Sequence, residues 1–174
     1  MLLEAKIYLF YLHFMKGESN YGNNYWLQMI GRPEYAAWSG YAFETVCLHH
    51  IDQIVNALGI NGMFNTPCSW NYIPSKALLN DATIDEDRKR GGQIDLLIDR
   101  NDKTISVCEM KYATSEYEIT KTYAHHVEQR LRTFRTVTGT KKSFSIVYIT
   151  PFGLYNNMYA RQVHKQVTAD DLFK

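Results

Sequence analysis

The sequence predicts an α/β layer sandwich. Two long stretches carry apolar residues at helical spacing, and shorter apolar runs lie between and after them. The order is helix, strand, strand, strand, helix, strand. In one run Leu96 and Leu97 are adjacent apolar residues, so that strand is covered on both faces and belongs in the middle of a sheet. A chain of 174 residues, 45% hydrophobic and 21% charged, suits one globular domain with its own core.

The elements follow in order. Residues Leu2–Lys16 are apolar and aromatic without a clear period, and Gly17–Asn24 is a loop by composition. Ile7–Met15 is too short to span a bilayer, and Glu4 is out of place in a signal peptide. It is expected to be a buried strand or helix. Residues 1–33 thus form an N-terminal extension to a core over 34–150. Pro33 precedes a helix over 34–59, with Tyr41, Leu48, Ile51, Val55 and Leu58 on its apolar stripe and Gly59 as its C-cap. A strand is expected around Phe64–Tyr72. Ser75–Gly92 holds Asp85-Glu86-Asp87 and Arg88-Lys89-Arg90 and reads as a mobile loop. Strands follow at about 93–99 and 104–111. A second helix over about 118–137 places Ile119, Tyr123, Val127, Leu131 and Phe134 on one face, and Gly139 closes it. Ser143–Ile149 is an apolar strand ended by Pro151. Residues 151–174 hold an edge strand within Met158–Val167 and a short turn capped by Thr168 and Asp171.

Charge and cysteine content exclude several classes. A net charge of +1 gives no overall nucleic-acid footprint, so any basic patch is local. Cys47, Cys68 and Cys108 are odd in number and widely spaced, which argues against a disulfide framework and for a cytoplasmic location. His49-His50 and His125-His126 are adjacent pairs whose side chains diverge around a helix, unlike zinc pairs at i, i+4. No Ser/His/Asp set has a nucleophile-elbow context.

The chemistry concentrates in Gln93–Lys111. Asp95 stands on one apolar strand, and Glu109 and Lys111 on the next. Buried charge is costly unless it is paired or binds metal, so the three suggest a metal site able to cut a phosphodiester. Alternation places Gln93, Asp95, Leu97 and Asp99 on one face, and Ile105, Val107, Glu109 and Lys111 on one face. A three-residue turn, Asn101-Asp102-Lys103, sets Asp95 opposite Glu109 and Gln93 opposite Lys111. A two-residue turn, Asn101-Asp102, sends Glu109 to the other face, and only a bulge would restore it. The plainer reading makes Glu109 and Lys111 a solvated strand end and gives Asp95 a local hydrogen bond. Glu44, four residues before Leu48 and seven before Ile51, lies on the first helix's stripe. There it either reaches a metal, directly or through water, or is a first-turn carboxylate favoured by the helix dipole.

An acid on the first helix, Asp on a strand and Glu-x-Lys on its hairpin partner resemble the PD-(D/E)xK nuclease superfamily. Over nearly the whole chain, Tyr41-Ala42-Phe43-Glu44, Gln93 to Asp99, Cys108-Glu109-Met110-Lys111 and Gly139–Lys142 resemble the C-terminal nuclease-like region of bacterial AAA-type ATPases. No G-x-x-x-x-G-K-[ST] phosphate loop occurs in these residues, so they are expected to hold the nuclease-like part without the ATPase half, as an excised domain, a gene fragment or a stand-alone relative. Ile94 stands where the family motif has Pro.

The resemblance implies a three-layer sandwich with a central mixed sheet flanked by helices, as in restriction endonucleases. It implies metal-dependent DNA hydrolysis with Asp95, Glu109 and the backbone carbonyl of Met110 holding Mg²⁺ or Mn²⁺. Lys111 would then stabilise the pentavalent charge, Glu44 would fix a metal-bound water, and Gln93 would bond Lys111 or the scissile phosphate. Arg88, Lys89, Arg90, Lys121, Arg130, Arg132 and Arg135 would meet DNA phosphates, and Tyr112 and Tyr117 would stack on bases. It equally implies a second reading: an inert module that binds DNA or a partner protein for an ATPase. No membrane partner is expected, and aromatic residues over Tyr21–Trp38 suggest a contact with an ATPase domain or a homodimer.

Overall fold

A computed structural model describes residues 32–63 and 65–174 of the chain. The elements expected over Leu2–Lys16 and Gly17–Asn24, and nearly all of the 1–33 extension, lie outside the described residues. The described residues form helices α1 (Pro33–His49) and α2 (Ile51–Leu58), strand β1 (Asn65–Tyr72), and short helices α3 (Lys76–Asn80) and α4 (Glu86–Lys89). Strands β2 (Gly92–Arg100) and β3 (Thr104–Met110), helix α5 (Lys121–Thr138) and strand β4 (Ser143–Ile149) follow. A 3₁₀ turn (Ala160–Gln162), strand β5 (Lys165–Val167) and helix α6 (Ala169–Leu172) end the chain. The architecture is α/β, with one mixed sheet ordered β1-β2-β3-β4-β5. The first three strands form an antiparallel meander, and β4 and β5 join in parallel. Helix α5 makes the crossover that a parallel β3–β4 pair requires.

Two apolar clusters hold the sheet. One joins Phe43, Cys47, Ile54 and Val55 of α1 and α2 to Leu96, Ile98, Cys108, Met110, Val147 and Ile149. The other joins Val127, Leu131 and Phe134 of α5 to Ile94, Leu97, Ile105 and Val107. Leu96 and Leu97 therefore enter different clusters, as their adjacency requires. Burying each such side chain is worth about 1.5–3 kcal/mol. Among the described residues no helix is long and apolar enough to cross a membrane.

Several expectations need correction. The helix expected over 34–59 is two helices, broken at His50. In an unbroken helix the Val46 carbonyl would accept from the His50 N–H. Instead the His50 ring Nδ1 takes that carbonyl at 2.8 Å, and the His50 N–H turns to the Cys47 carbonyl at 3.0 Å. A side chain inserted into the ladder breaks the helix. The break also rotates the buried face. Ser39, Phe43 and Cys47 face inward, while Tyr41 is 62% and Leu48 44% exposed, so these two lie off the core stripe. Gly59 does cap α2, at φ 72°.

Ser75–Gly92 holds two short helices rather than a loop alone. Ser75 Oγ accepts from the Leu78 N–H at 3.3 Å, and Asp85 Oδ1 from the Asp87 N–H at 2.7 Å. Both are side-chain N-caps. The edge strand within Met158–Val167 shrinks to Lys165–Val167, preceded by the 3₁₀ turn. Thr168 and Asp171 form the expected capping box, Gly139 ends α5 at φ 68°, and Ser143–Ile149 matches its expected range.

Candidate functional site

The site lies where β2 begins and β3 ends, beside α5. The hairpin turn has three residues, Asn101-Asp102-Lys103, and pairs Leu96 with Cys108 through to Asp99 with Ile105. Lys103 closes it in the left-handed region at φ 61°, as three-residue hairpin loops require of their last residue. Asp102 Oδ1 accepts from the Thr104 N–H at 3.2 Å and helps hold the turn. Of the two turns that the sequence leaves open, the three-residue one is present, and Asp95 and Glu109 are the next residues past the end of the ladder.

A bulge intervenes at that point. On the other side of β2, Cys68 pairs with Leu97 and Trp70 with Ile94, so Asp95 and Leu96 together oppose the single Ser69. A bulge re-aims side chains. Ile94 and Leu97, three apart, share the α5 face while Leu96 enters the other cluster. Alternation no longer fixes the face of Asp95. Its hydrogen-bond partner is Gln93, whose Nε2 donates to Asp95 Oδ1 at 2.6 Å.

Glu109 is the buried charge of the site, 4% exposed. Continuing the alternation of Ile105 and Val107, it meets α5, and both its oxygens find donors there. Arg130 Nη2 donates to Oε1 at 2.5 Å, and the Tyr123 hydroxyl donates to Oε2 at 2.5 Å. Tyr123 and Arg130 are seven residues apart, two turns along one helix face. Thr120 starts that helix by accepting from the Tyr123 N–H at 3.2 Å. Arg130 Nη1 also reaches the Gln93 carbonyl at 3.3 Å, so one guanidinium links β2 to β3. Lys111 donates its N–H to the Ile149 carbonyl at 2.9 Å, and its Nζ lies 5.0 Å from the centroid of the Tyr123 ring.

Electrostatics follow from this packing. Burial, then the Glu109 charge and hydrogen bond, push the Tyr123 hydroxyl far above its ordinary value, so it is a donor at every physiological pH. Tyr148, beside Glu109 on β4, and Tyr117, which stacks on Tyr148, are raised by burial and then by the Glu109 charge. Burial opposes the Arg130 charge, but Glu109 and Tyr123 outweigh it and raise its pKa.

Glu44 is half-buried on α1 beside Cys47, whose thiol burial, and to a lesser degree Glu44, push up to about 12. Cys47 belongs to the cluster on the sheet face opposite α5. Glu44, Asp95 and Glu109 are not gathered into one set. Among the described residues no group of three His, Cys, Asp or Glu stands close enough to hold a metal ion. Asp95, Glu109 and the Met110 carbonyl supply the hard oxygens that Mg²⁺ prefers. With both Glu109 oxygens bonded to α5 and a guanidinium already against one of them, the residues as arranged do not fit a metal.

The basic residues are largely paired within the chain. Lys89 pairs with Glu86 at 3.0 Å, Arg90 with Asp87 at 2.8 Å, and Arg132 with Asp87 at 3.8 Å. Arg135 lies 4.5 Å from the Phe144 ring centroid and donates to the Lys142 carbonyl. Arg88 and Lys121 are exposed, and neither has an ion pair among the described residues.

Two residues central to the site, Tyr123 and Arg130, have other parts in the sequence reading: an apolar-stripe aromatic and a phosphate contact. A signal for Arg130 exists, because it lies three residues after Val127 and four before Phe134, on the buried stripe. Comparison with family models, curated proteins and solved structures finds no match for this chain.

Proposed function

We propose that the chain is a PD-(D/E)xK nuclease-like module, a three-layer sandwich with a restriction-endonuclease-like core, that is catalytically inert as folded. It holds a partner protein or DNA in the setting of an AAA-type ATPase. The observation that carries inertness is Glu109: both oxygens are bonded to α5, one of them to a cation. The resemblance over Glu44 to Lys111 and the apolar clusters on the two sheet faces support the fold. The pairing of Lys89, Arg90, Arg130 and Arg132 within the chain favours a protein over DNA as the thing held, because paired bases release few counterions from phosphates.

Calorimetric titration with Mg²⁺ and Mn²⁺, with Asp95→Ala as control, tests the reading alongside cleavage of plasmid and branched DNA. It expects neither metal binding nor cleavage. One bound Mn²⁺ that is lost in Asp95→Ala, together with cleavage, would overturn it.

The second reading is metal-dependent DNA hydrolysis, using Asp95, Glu109 and Lys111 with Mg²⁺ or Mn²⁺. The three-residue turn favours it, because that turn brings Asp95 and Glu109 to neighbouring positions at one end of the hairpin. The same titration separates the two.

A further inference from the structure

We infer that the cleft beside β5 is a binding site for a phosphorylated small molecule, held by Arg161, His164 and Lys165. The inference is independent of whether the strand-end carboxylates are inert. The cleft has a volume of about 700 Å³. Sites for small organic ligands have that size. Its walls are α2 at Ala57, the segment from Leu154 to Val163, β5, and the capping box of Thr168 and Asp171.

The chain's own bonds hold this shape. Gln166 Oε1 on β5 accepts from the Leu154 N–H at 3.0 Å. Asn157 Nδ2 donates to the Ile119 carbonyl at 2.9 Å, which fastens the segment to the start of α5. Asn157 Oδ1 accepts from the N–H groups of Tyr159 and Ala160 at 3.0 and 2.9 Å, and so starts the 3₁₀ turn that carries Arg161. His164 is fixed against β4. Its N–H donates to the Ile146 carbonyl at 2.9 Å, and its Nδ1 accepts from the Ile146 N–H at 3.1 Å.

The hydrogen bonds of the lining decide what it can take. Its strong acceptors are already used. Asn156 Oδ1 accepts from Arg161 Nε at 3.4 Å, Gln166 Oε1 from Leu154, and His164 Nδ1 from Ile146. Guanidinium and backbone N–H groups only donate, so these contacts fix both amide orientations and the histidine tautomer. Asp171 Oδ2 accepts from the Thr168 N–H and hydroxyl, both at 3.0 Å, and its Oδ1 from Lys174 at 3.2 Å. What remains is donors: the terminal nitrogens of Arg161, His164 Nε2–H, Lys165 Nζ and Asn156 Nδ2. Among the described residues Arg161 and Lys165 enter no ion pair, whereas Lys89, Arg90, Arg130 and Lys142 each have one. A lining that offers donors and positive charge, with its acceptors spent, recognises an acceptor-rich anion. A phosphoryl group brings three terminal oxygens to a guanidinium fork, an ammonium and a ring N–H. A carboxylate brings two. Ala57, Leu154 and Val163 give the cleft an apolar wall for an organic body.

The test compares phenyl phosphate with benzoate, which carries the same ring on a carboxylate, by calorimetry on the full chain at fixed ionic strength. Phenyl phosphate is expected to bind about one per chain, with a dissociation constant of about 1 mM or tighter, and to raise the melting temperature. Benzoate is expected to bind at least about tenfold more weakly. Arg161 and Lys165 are exposed, so Arg161→Gln combined with Lys165→Gln is expected to keep the ligand-free melting temperature and to lose at least about tenfold in affinity for phenyl phosphate. Phenyl phosphate should also shift the ¹⁵N resonance of His164 Nε2 in the wild-type chain, a readout that needs no variant. Binding no tighter than that of benzoate, binding undiminished in the double variant, or an unmoved His164 resonance would each overturn the inference. A duplex oligonucleotide held through Arg161 and Lys165 more tightly than phenyl phosphate would also overturn it, by making the cleft a nucleic-acid surface.

Discussion

The two ends of the β2–β3 hairpin each carry an acid paired with a base, and they differ in depth. Near the turn, Lys142 pairs with Asp99, with the two side chains 34% and 46% exposed. At the other end Arg130 pairs with Glu109, which is almost fully buried. The chemistry is alike and the surroundings are not. Water screens the first pair, and forming it fixes two mobile side chains, so its net worth is small. In the second pair Glu109 has lost its water, while the Arg130 side chain remains 24% exposed. The strength of that pair is seen only when one partner is removed, because the other is then left buried and uncompensated.

The largest effect should come from the buried end. Arg130→Ala is expected to destabilise by about 3–5 kcal/mol, measured by urea unfolding, because Glu109 loses its cation. A loss below about 1 kcal/mol would mean that water reaches Glu109 freely and that the pair is a surface one. Next is Gly92, at the start of β2 against the Trp70 ring. Gly92→Ala sets a methyl 3.0 Å from the Trp70 ring and is expected to cost about 1–3 kcal/mol, with a change in tryptophan fluorescence. At the exposed end, Asp99→Ala is expected to cost less than about 1 kcal/mol, and less still at high salt. A large cost there would erase the contrast between the ends.

A further contrast separates the cysteines on the two sides of burial. Cys47 and Cys108 are buried, and desolvation raises both thiols, Cys47 to about 12. Cys68 is exposed. Native protein at mildly alkaline pH should therefore alkylate at Cys68 alone, as read by peptide mass spectrometry. The folded-state pKa of Cys47 lies above its ordinary value of 9.0. Its contribution to stability is therefore fully present below that value and is lost as pH rises toward about 12. Cys47→Ala should flatten that alkaline decline.

Much of the fold is legible in the sequence, for physical reasons. The β2–β3 hairpin is readable as two strands joined by a short turn, but the sequence leaves that turn at two or three residues, and the register is set by the three-residue turn that Lys103 closes in the left-handed region. Gly59 and Gly139 mark helix ends because they adopt the left-handed conformation. The break at His50 is not legible: a histidine ring capturing a carbonyl four residues back leaves no spacing signature. Without it, Tyr41 and Leu48 pass for core, and Glu44 passes for a carboxylate on a core stripe.

The site divides the same way. The sequence leaves Glu109 open between a buried charge with a partner and a solvated strand end, and the structure buries it. Which partner depends on how α5 lies across the sheet, and that is a matter of tertiary packing. A charge on an apolar helical stripe is the clue that draws attention to Glu44, and it applies with equal force to Arg130. The bulge at Asp95-Leu96 is written only in the mismatch between β1 and β2, which no single strand displays.

The central claim is that a guanidinium, and not a divalent ion, neutralises Glu109. A crystal of the wild-type chain soaked in Mn²⁺ tests it most directly through anomalous density. The account predicts Arg130 still bonded to Glu109 and no manganese peak at the strand ends. A peak between Asp95 and Glu109, with Arg130 turned away, would contradict it.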